Sequence, residues 1–283
     1  MINNRSEIYK VDLNENEFND ARIIALNYIH ERSTVLDVGA ACGDFGLLLK
    51  NKKQCKVYGM EYDIKSIEIA KSTKAYNDIH QIDLNNFHIS DYKHYINYFD
   101  TIVLLDVLEH LLYPEKVLEL MQNFLKEDGY FIISLPNVAF ADIKASLLQN
   151  DFTYTDTGIL DKTHLKFYTY KSIIDFMTIL NLRITDFNVK VNNMSAYKKI
   201  PKTIKKYILK CPHSYVYQYI ICAEQADSST NLLEDNTKTM SLTWKKMNPT
   251  LKIIKRKELI QNIFPTNSFQ HRIAKQIKRL LKK

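Results

Sequence analysis

Short unbroken apolar runs alternate along this chain with longer stretches in which apolar residues recur every three or four positions. The runs at 35–38, 57–61, 79–82, 99–106 and 130–135 are too short for helices and read as buried strands. Between them the period changes. Residues 17–31 put Ala21, Ile24, Ala25, Tyr28 and Ile29 on one face and predict a leading helix. Phe45, Leu48 and Leu49 predict a second helix, and 64–72, 114–125, 138–149 and 171–180 predict four more. Two further strands, 182–191 and 216–224, flank an insertion carrying Lys198, Lys199, Lys202, Lys205, Lys206 and Lys210, which reads as a lid over the site or as a solvated basic loop or helix. Strands alternating with helices predict a mostly parallel sheet covered on both faces, and the final pair predicts an antiparallel edge hairpin. That makes an α/β fold of seven strands.

The first strand gives way to a turn of small residues, Asp37-Val38-Gly39-Ala40-Ala41-Cys42-Gly43-Asp44-Phe45-Gly46. Gly39, Ala41 and Gly43 let a ligand approach the backbone, and the helix that follows offers its N-terminus. A strand, a small-residue turn and a helix form the entry of a nucleotide site. The spacing differs from the dinucleotide fingerprint G-x-G-x-x-G, and no Tyr-x-x-x-Lys pair stands at Tyr168, whose nearest lysine is Lys171. The second strand ends in Glu61, about twenty residues beyond the turn, where an acid can bind both ribose hydroxyls. The third strand ends at Asp83. The fourth runs into Asp106-Val107-Leu108-Glu109-His110.

These features, in this order, resemble the class I S-adenosylmethionine-dependent methyltransferases, with Ala41 in place of the middle glycine of D-x-G-x-G-x-G. The resemblance covers about residues 15–226 and implies the Rossmann-like sheet of that superfamily. It implies S-adenosylmethionine as cofactor and S-adenosylhomocysteine as product. By the same resemblance, Asp37, Gly39, Ala41, Gly43, Glu61, Tyr62, Asp83, Leu84, Leu105 and Asp106 line the cofactor site. Asp37 would hold the turn or the methionine amine, and Asp83 would meet the adenine amino group. The segments Ser134-Leu135-Pro136-Asn137 and Asp161-Lys162-Thr163-His164-Leu165-Lys166-Phe167-Tyr168-Thr169 resemble a narrower group. It holds the ubiquinone-type O-methyltransferases and methyltransferases encoded with surface-polysaccharide glycosyltransferases.

Transfer to a hydroxyl needs a proton acceptor, and imidazole accepts a proton near neutral pH. His164 and His110 are the candidate bases, with His164 preferred because its loop can reach the acceptor, and Asp106 stands beside them. Asp106-x-x-Glu109-His110 also resembles the divalent-ion element of small-RNA 2′-O-methyltransferases. On that resemblance Asp106, Glu109, His110 and His164 would ligate Mg, Mn or Zn. The further histidine that follows in those families is missing, and the metal-free reading is preferred.

Charge changes the picture only at the C-terminus. The net charge is +7, and residues 227–283 hold 13 of the 39 basic and 4 of the 32 acidic residues. The preceding part is near neutral, which gives no reason to read it as a nucleic-acid binder. The chain is expected to divide into a methyltransferase domain, 1–226, and a linker with a basic helical tail, 227–283. In the tail, Phe269, Ile273, Ile277, Leu280 and Leu281 recur at helical spacing among Lys and Arg, a pattern suited to an anionic membrane surface or a glycosyltransferase partner. No apolar run approaches membrane length, and the four scattered cysteines read as reduced thiols. These point to a cytoplasmic enzyme, and the tail adds the expectation of a peripheral place on the inner face of the membrane. The expected acceptor is a sugar or small-molecule hydroxyl in cell-surface glycan synthesis. A quinone-precursor phenol is the alternative, as is a weakly catalytic cofactor-binding scaffold for a glycosyltransferase complex.

Overall fold

The computed structural model describes residues 19–192, 194, 197, 199–211, 213–227 and 231–263, the last sixteen as backbone alone. The basic run 268–283 lies outside the described residues. Residues 1–237 form one compact unit and 238–283 a second.

In chain order the elements are α1 (Ala21–Leu26), β1 (Thr34–Val38), α2 (Asp44–Lys53), β2 (Lys56–Glu61), α3 (Ile64–Ser72), β3 (Asp78–Gln81) and β4 (Phe99–Leu105). Then come α4 (Pro114–Gln122), β5 (Leu125–Pro136), α5 (Ala141–Leu147), α6 (Tyr170–Ile179), β6 (Leu182–Val191), α7 (Lys202–Lys210), β7 (Val216–Gln225) and α8 (Leu232–Ile263). Single 3-10 turns occur at Leu84–Asn86 and Leu108–His110, and a longer 3-10 segment at Ile89–Tyr95.

The seven strands form one sheet in the order β3-β2-β1-β4-β5-β7-β6. All neighbours are parallel except β7, which runs antiparallel to both β5 and β6. The α/β fold expected from the pattern is therefore present, with the hairpin strands exchanged so that β7 lies inside and β6 at the edge. Strand order reverses between β1 and β4, and ligands of open α/β sheets bind at the carboxyl end of such a reversal. Val35, Leu36, Ile102, Val103, Phe131 and Ile132 are fully buried, because parallel strands sandwiched by helices have no solvent face.

Several boundaries differ from the periodic reading. The leading helix is only Ala21–Leu26: Asp20 caps it, and Asn27, Tyr28 and Ile29 donate to carbonyls three residues back instead of four. Ile29 stays buried on a turn, so its place in the apolar pattern did not require helix. Strand β5 begins five residues before the expected Tyr130. Glu127-Asp128-Gly129 lies inside it as an irregularity, with the register against β4 shifting between Phe99 and Thr101. The helix expected over 138–149 starts at Ala141, because Asn137 and Phe140 belong to a turn closed by Phe140 N–H to the Asn137 carbonyl at 3.0 Å. Helix α8 begins at Leu232, and its Asn236 is buried. Asn236 accepts from Ile184 N–H at 2.7 Å and donates to the Leu182 carbonyl at 3.0 Å. The first unit thus runs past the expected boundary at 226.

Candidate active site

After β1 the chain turns through three left-handed residues, Gly39 (φ 76°), Ala41 (φ 45°) and Gly43 (φ 88°). A Cβ on Gly39 would lie 2.6 Å from Val107 Cγ2, so the turn is pressed against the exit of β4 and admits no side chain there. Gly39 and Ala40 N–H both donate to the Met60 carbonyl, which ties the turn to β2. Ala41 N–H donates to Glu61 Oε2 at 2.8 Å. Glu61 Oε1 accepts from Tyr62 and Asp63 N–H at 2.8 and 2.9 Å. Three backbone donors hold this carboxylate at the lip of the turn. Exposed Tyr62 stands beside it.

Beneath the turn lies a residue that the sequence reading did not single out. The Tyr76 ring fills the space in which Gly46 and Gly59 lack side chains: a Cβ on Gly46 would meet its Cζ at 2.3 Å, and one on Gly59 its Cδ1 at 3.0 Å. Its hydroxyl donates to Asp37 Oδ2 at 2.7 Å. Asp37 is buried, and burial pushes its carboxyl up to about 7; the charge of Glu61 adds to this and the Tyr76 bond opposes it. The structure places Asp37 under the turn on Tyr76. The available signal was Gly46 itself, a glycine inside a helix, which usually has a packing reason.

Asp83 caps the 3-10 turn Leu84–Asn86, accepting from Asn85 N–H at 3.0 Å and Asn86 Nδ2 at 2.7 Å. Asn85 in turn accepts from Leu112 N–H at 2.9 Å, joining this corner to the segment after β4. Leu105 is half-buried at the last position of β4. Asp106 follows with φ 57°, a conformation few side-chain-bearing residues adopt. A buried pair holds it there. Ser134 Oγ accepts from Asp106 N–H at 2.9 Å and donates to Asp106 Oδ1 at 3.3 Å. Gln218 Nε2 donates to the same Oδ1 and, at 2.9 Å, to Ser134 Oγ. Ser134 and Gln218 come from β5 and β7, so no local motif announces their meeting with Asp106.

The histidines do meet. The His110 and His164 rings lie 4.7 Å apart, edge to face. His164 Nδ1 lies 3.0 Å from the Ile159 carbonyl, which can only accept, so Nδ1 carries the hydrogen and Nε2 presents a lone pair. The Thr163 hydroxyl donates to Asp161 Oδ1 at 2.7 Å, so His110 Nδ1, 3.0 Å from that hydroxyl oxygen, must donate to it. His110 Nε2 is left as an acceptor too. Burial, then the neighbouring His164, hold the His110 pKa below its ordinary value, and the ring is neutral near pH 7.

Glu109 completes the cluster. It is 1% exposed, and its oxygens meet no N–H or O–H donor; the group facing its carboxyl is the Asp106 carboxylate. Burial, then the negative charge of Asp106, hold its carboxyl well above the usual range. Its backbone carbonyl accepts from Leu165 and Lys166 N–H at 2.7 and 3.1 Å and fastens the His164 loop to the end of β4. One ligand atom each from Glu109, His110 and His164 lies within 4.8 Å of the others. Asp106, counted with them in the sequence reading, turns its Oδ1 to Ser134 and Gln218.

The model of a methyltransferase-domain family matches residues 14–186, more than half of the chain. The chain belongs to the class I S-adenosylmethionine-dependent methyltransferases. Its cofactor is S-adenosylmethionine. Among solved structures, a methyltransferase from Archaeoglobus fulgidus is similar at 19% identity and a TM-score of 0.51, over 75% of this chain and 97% of that one. One from Thermotoga maritima has 12% identity and a TM-score of 0.50, over 72% and 87% of the two chains. The cyclase SpnF is as similar, with 12% identity and a TM-score of 0.50 over 72% and 79%. Likeness at this level shows the fold, and SpnF shows that the fold alone does not fix the reaction. No curated protein is significantly similar to this methyltransferase. Among the described residues no helix is long and apolar enough to cross a membrane.

Proposed function

We propose that this methyltransferase methylates a hydroxyl of a sugar or other small molecule, in the synthesis of a cell-surface glycan. The observation that supports transfer to a hydroxyl is the histidine pair, two imidazoles whose Nδ1 hydrogens are tied and whose Nε2 lone pairs stand at the carboxyl end of β4. The glycan assignment rests on the resemblance of Ser134–Asn137 and Asp161–Thr169 to polysaccharide-associated methyltransferases.

Bound S-adenosylmethionine supplies a methyl group already activated by sulfonium. The chain supplies position and proton transfer. Glu61 would accept from the ribose hydroxyls, Asp83 and Leu84 would hold the adenine, and the turn from Gly39 to Gly43 would hold the methionine. His164 Nε2 takes the hydroxyl proton as the oxygen–methyl bond forms, and the carbon–sulfur electron pair stays with sulfur. His110, neutral and adjacent, keeps the pocket free of a competing positive charge. A positioned base of this kind contributes about 10²–10⁴-fold. Outside the described residues, the tail 268–283 is read as a contact for a membrane surface or a glycosyltransferase.

A second reading is favoured by one observation, the two unpartnered oxygens of Glu109. A buried carboxyl whose oxygens meet no donor is an unsatisfied group, and burial with the Asp106 charge favours its neutral form until a cation displaces the proton. A divalent cation held by Glu109 Oε, His110 Nε2 and His164 Nε2 would satisfy it, and metal-bound histidines commonly donate their other ring N–H as these two do. Such a cation would lower the pKa of an acceptor hydroxyl, and the base role of the histidines would lapse.

A labelled-methyl assay against nucleotide sugars, glycan extracts and quinone-precursor phenols, with and without chelator, tests both. Label in a sugar fraction supports the proposal. Label in a phenol alone replaces the acceptor. Cofactor binding without label in any acceptor supports the scaffold.

A further inference from the structure

Beside the mouth of the sheet, α5 and the segment 194–215 form a cap. Ala141 and Ala145 of α5 are buried against Ile200 and Ile208, with Tyr197 and Ile204 alongside. Ala141 N–H donates to the Ser214 carbonyl at 2.6 Å, Lys144 Nζ to Ser214 Oγ at 2.7 Å, and Tyr197 N–H to Asp142 Oδ1 at 2.8 Å. The inner face of α7 is therefore settled. Its outer face is not covered by the described chain.

That outer face is cationic without relief. Lys202, Lys206 and Lys210 are exposed and follow one another at intervals of four residues along one stripe of α7, and Lys199 is exposed just before its N-cap Pro201. None of the four is paired with an acid among the described residues. From Phe187 to Ala223 the sequence holds no Asp or Glu. Nearby acids are engaged: Asp142 by Tyr197, Asp151 by Thr153, Asp156 by Lys162.

Apolar side chains are exposed on α5 and α7 and on the segment that follows α5. Leu148, just past α5, is 60% exposed, and Tyr207 on α7 is 72% exposed. Leu147, Phe152 and Tyr154 are exposed as well, and the Phe152 and Tyr154 rings lie 5.7 Å apart. Large apolar groups left exposed on elements that pack together, as α5 and α7 do, mark contact with something apolar.

We propose that this cap docks on an anionic lipid bilayer, with the lysine stripe among the headgroups and Leu148, Phe152, Tyr154 and Tyr207 in the interfacial layer. The charge pattern selects this occupant. A second copy meeting the cap face to face would bring the same lysines against themselves. Nucleic acid would draw the lysines and leave the leucines without a role. An anionic interface takes both kinds of group at once. The docking stands on the described cap and does not depend on the acceptor or on the basic tail.

The test is co-sedimentation of the full-length protein with vesicles of phosphatidylglycerol and phosphatidylcholine, and of phosphatidylcholine alone, at low and physiological salt. Two variants accompany it, K199Q/K202Q/K206Q/K210Q and L148S/F152S, each checked for folding by unchanged S-adenosylmethionine affinity. The expected result is binding to the anionic vesicles only. It should weaken with salt, by at least about tenfold in the lysine variant and by a smaller factor in L148S/F152S. The proposal is overturned if the wild type ignores anionic vesicles, or if both variants bind them like the wild type. It is overturned in favour of nucleic acid if only the lysine variant loses vesicle binding and loses oligonucleotide binding with it. A dimer that L148S/F152S dissociates would overturn it in favour of self-association.

Discussion

The proposed cofactor half and the proposed acceptor half of this site are built on opposite rules. In the cofactor half every acid is already engaged. Glu61 accepts three backbone hydrogens, Asp83 caps a turn, and Asp37 is bonded to Tyr76. In the acceptor half Glu109 is buried with no partner, and two imidazole lone pairs stand beside it. A satisfied cradle can be preformed because its polar groups cost nothing extra while it waits. An unsatisfied cluster is stable only because its neighbours are packed around it, and it gains most when a proton, an acceptor or a cation arrives.

The contrast is broken most severely at His164. His164→Ala should lower turnover by about two to four decades and leave cofactor affinity near the wild-type value. Single-turnover kinetics and calorimetry read the two quantities separately. If turnover survives, the base is His110 or no base is needed.

Next is Glu109, through a measurement that needs no acceptor. Ligands that bind only the folded state raise its apparent stability. The melting temperature of the wild type should rise on adding Mn, Mg or Zn, and that of Glu109→Gln should not. Supporting groups around metal sites are typically worth about 10–100-fold in affinity, and a direct ligand should exceed that. A wild type indifferent to all three ions leaves Glu109 as a protonated buried carboxyl and retires the cation reading.

In the cofactor half the effect is smaller, because Glu61 is one of several contacts. Charge-assisted hydrogen bonds contribute about 1.5–3 kcal/mol each, so Glu61→Ala should weaken S-adenosylmethionine binding at least about tenfold. Unchanged affinity by calorimetry would take Glu61 out of the cofactor site.

The same division governs what could be read from the sequence. Glu61 follows the glycine turn by a spacing that one strand–helix–strand unit imposes, and Gly39 and Gly43 betray their backbone conformations by being glycine. The strands up to β5 and their parallel pairing followed from the alternation of apolar runs; their order in the sheet did not. The acceptor half gathers residues 106–110, 134, 159–168 and 218 from β4, β5, β7 and a loop. His110 and His164 were recognisable as histidines in familiar segments, but their contact is made by the Glu109 carbonyl holding the loop, a bond without side-chain signature. Ser134 and Gln218 were invisible as partners of Asp106 because 84 residues separate them. Tyr76 was missed for a related reason, since its partners Gly46, Gly59 and Asp37 come from three elements.

The smallest expected effect concerns Asp37, and it tests whether the cofactor half is as relaxed as its hydrogen bonds suggest. Its folded pKa, about 7, lies above the ordinary 3.8. Between those values the folded chain keeps a proton that the unfolded chain has lost. Stability falls with rising pH wherever the folded state binds more protons. The contribution of Asp37 is therefore complete below about pH 4 and is lost as pH rises toward 7. Asp37→Asn is neutral throughout and can still accept from the Tyr76 hydroxyl. Urea midpoints of the cofactor-free wild type should fall between pH 5 and about 7.5 more steeply than those of the variant, a difference in slope and not a loss of fold. Parallel curves would mean that Asp37 is ionised across the window, and that the satisfied appearance of the cradle conceals a buried charge.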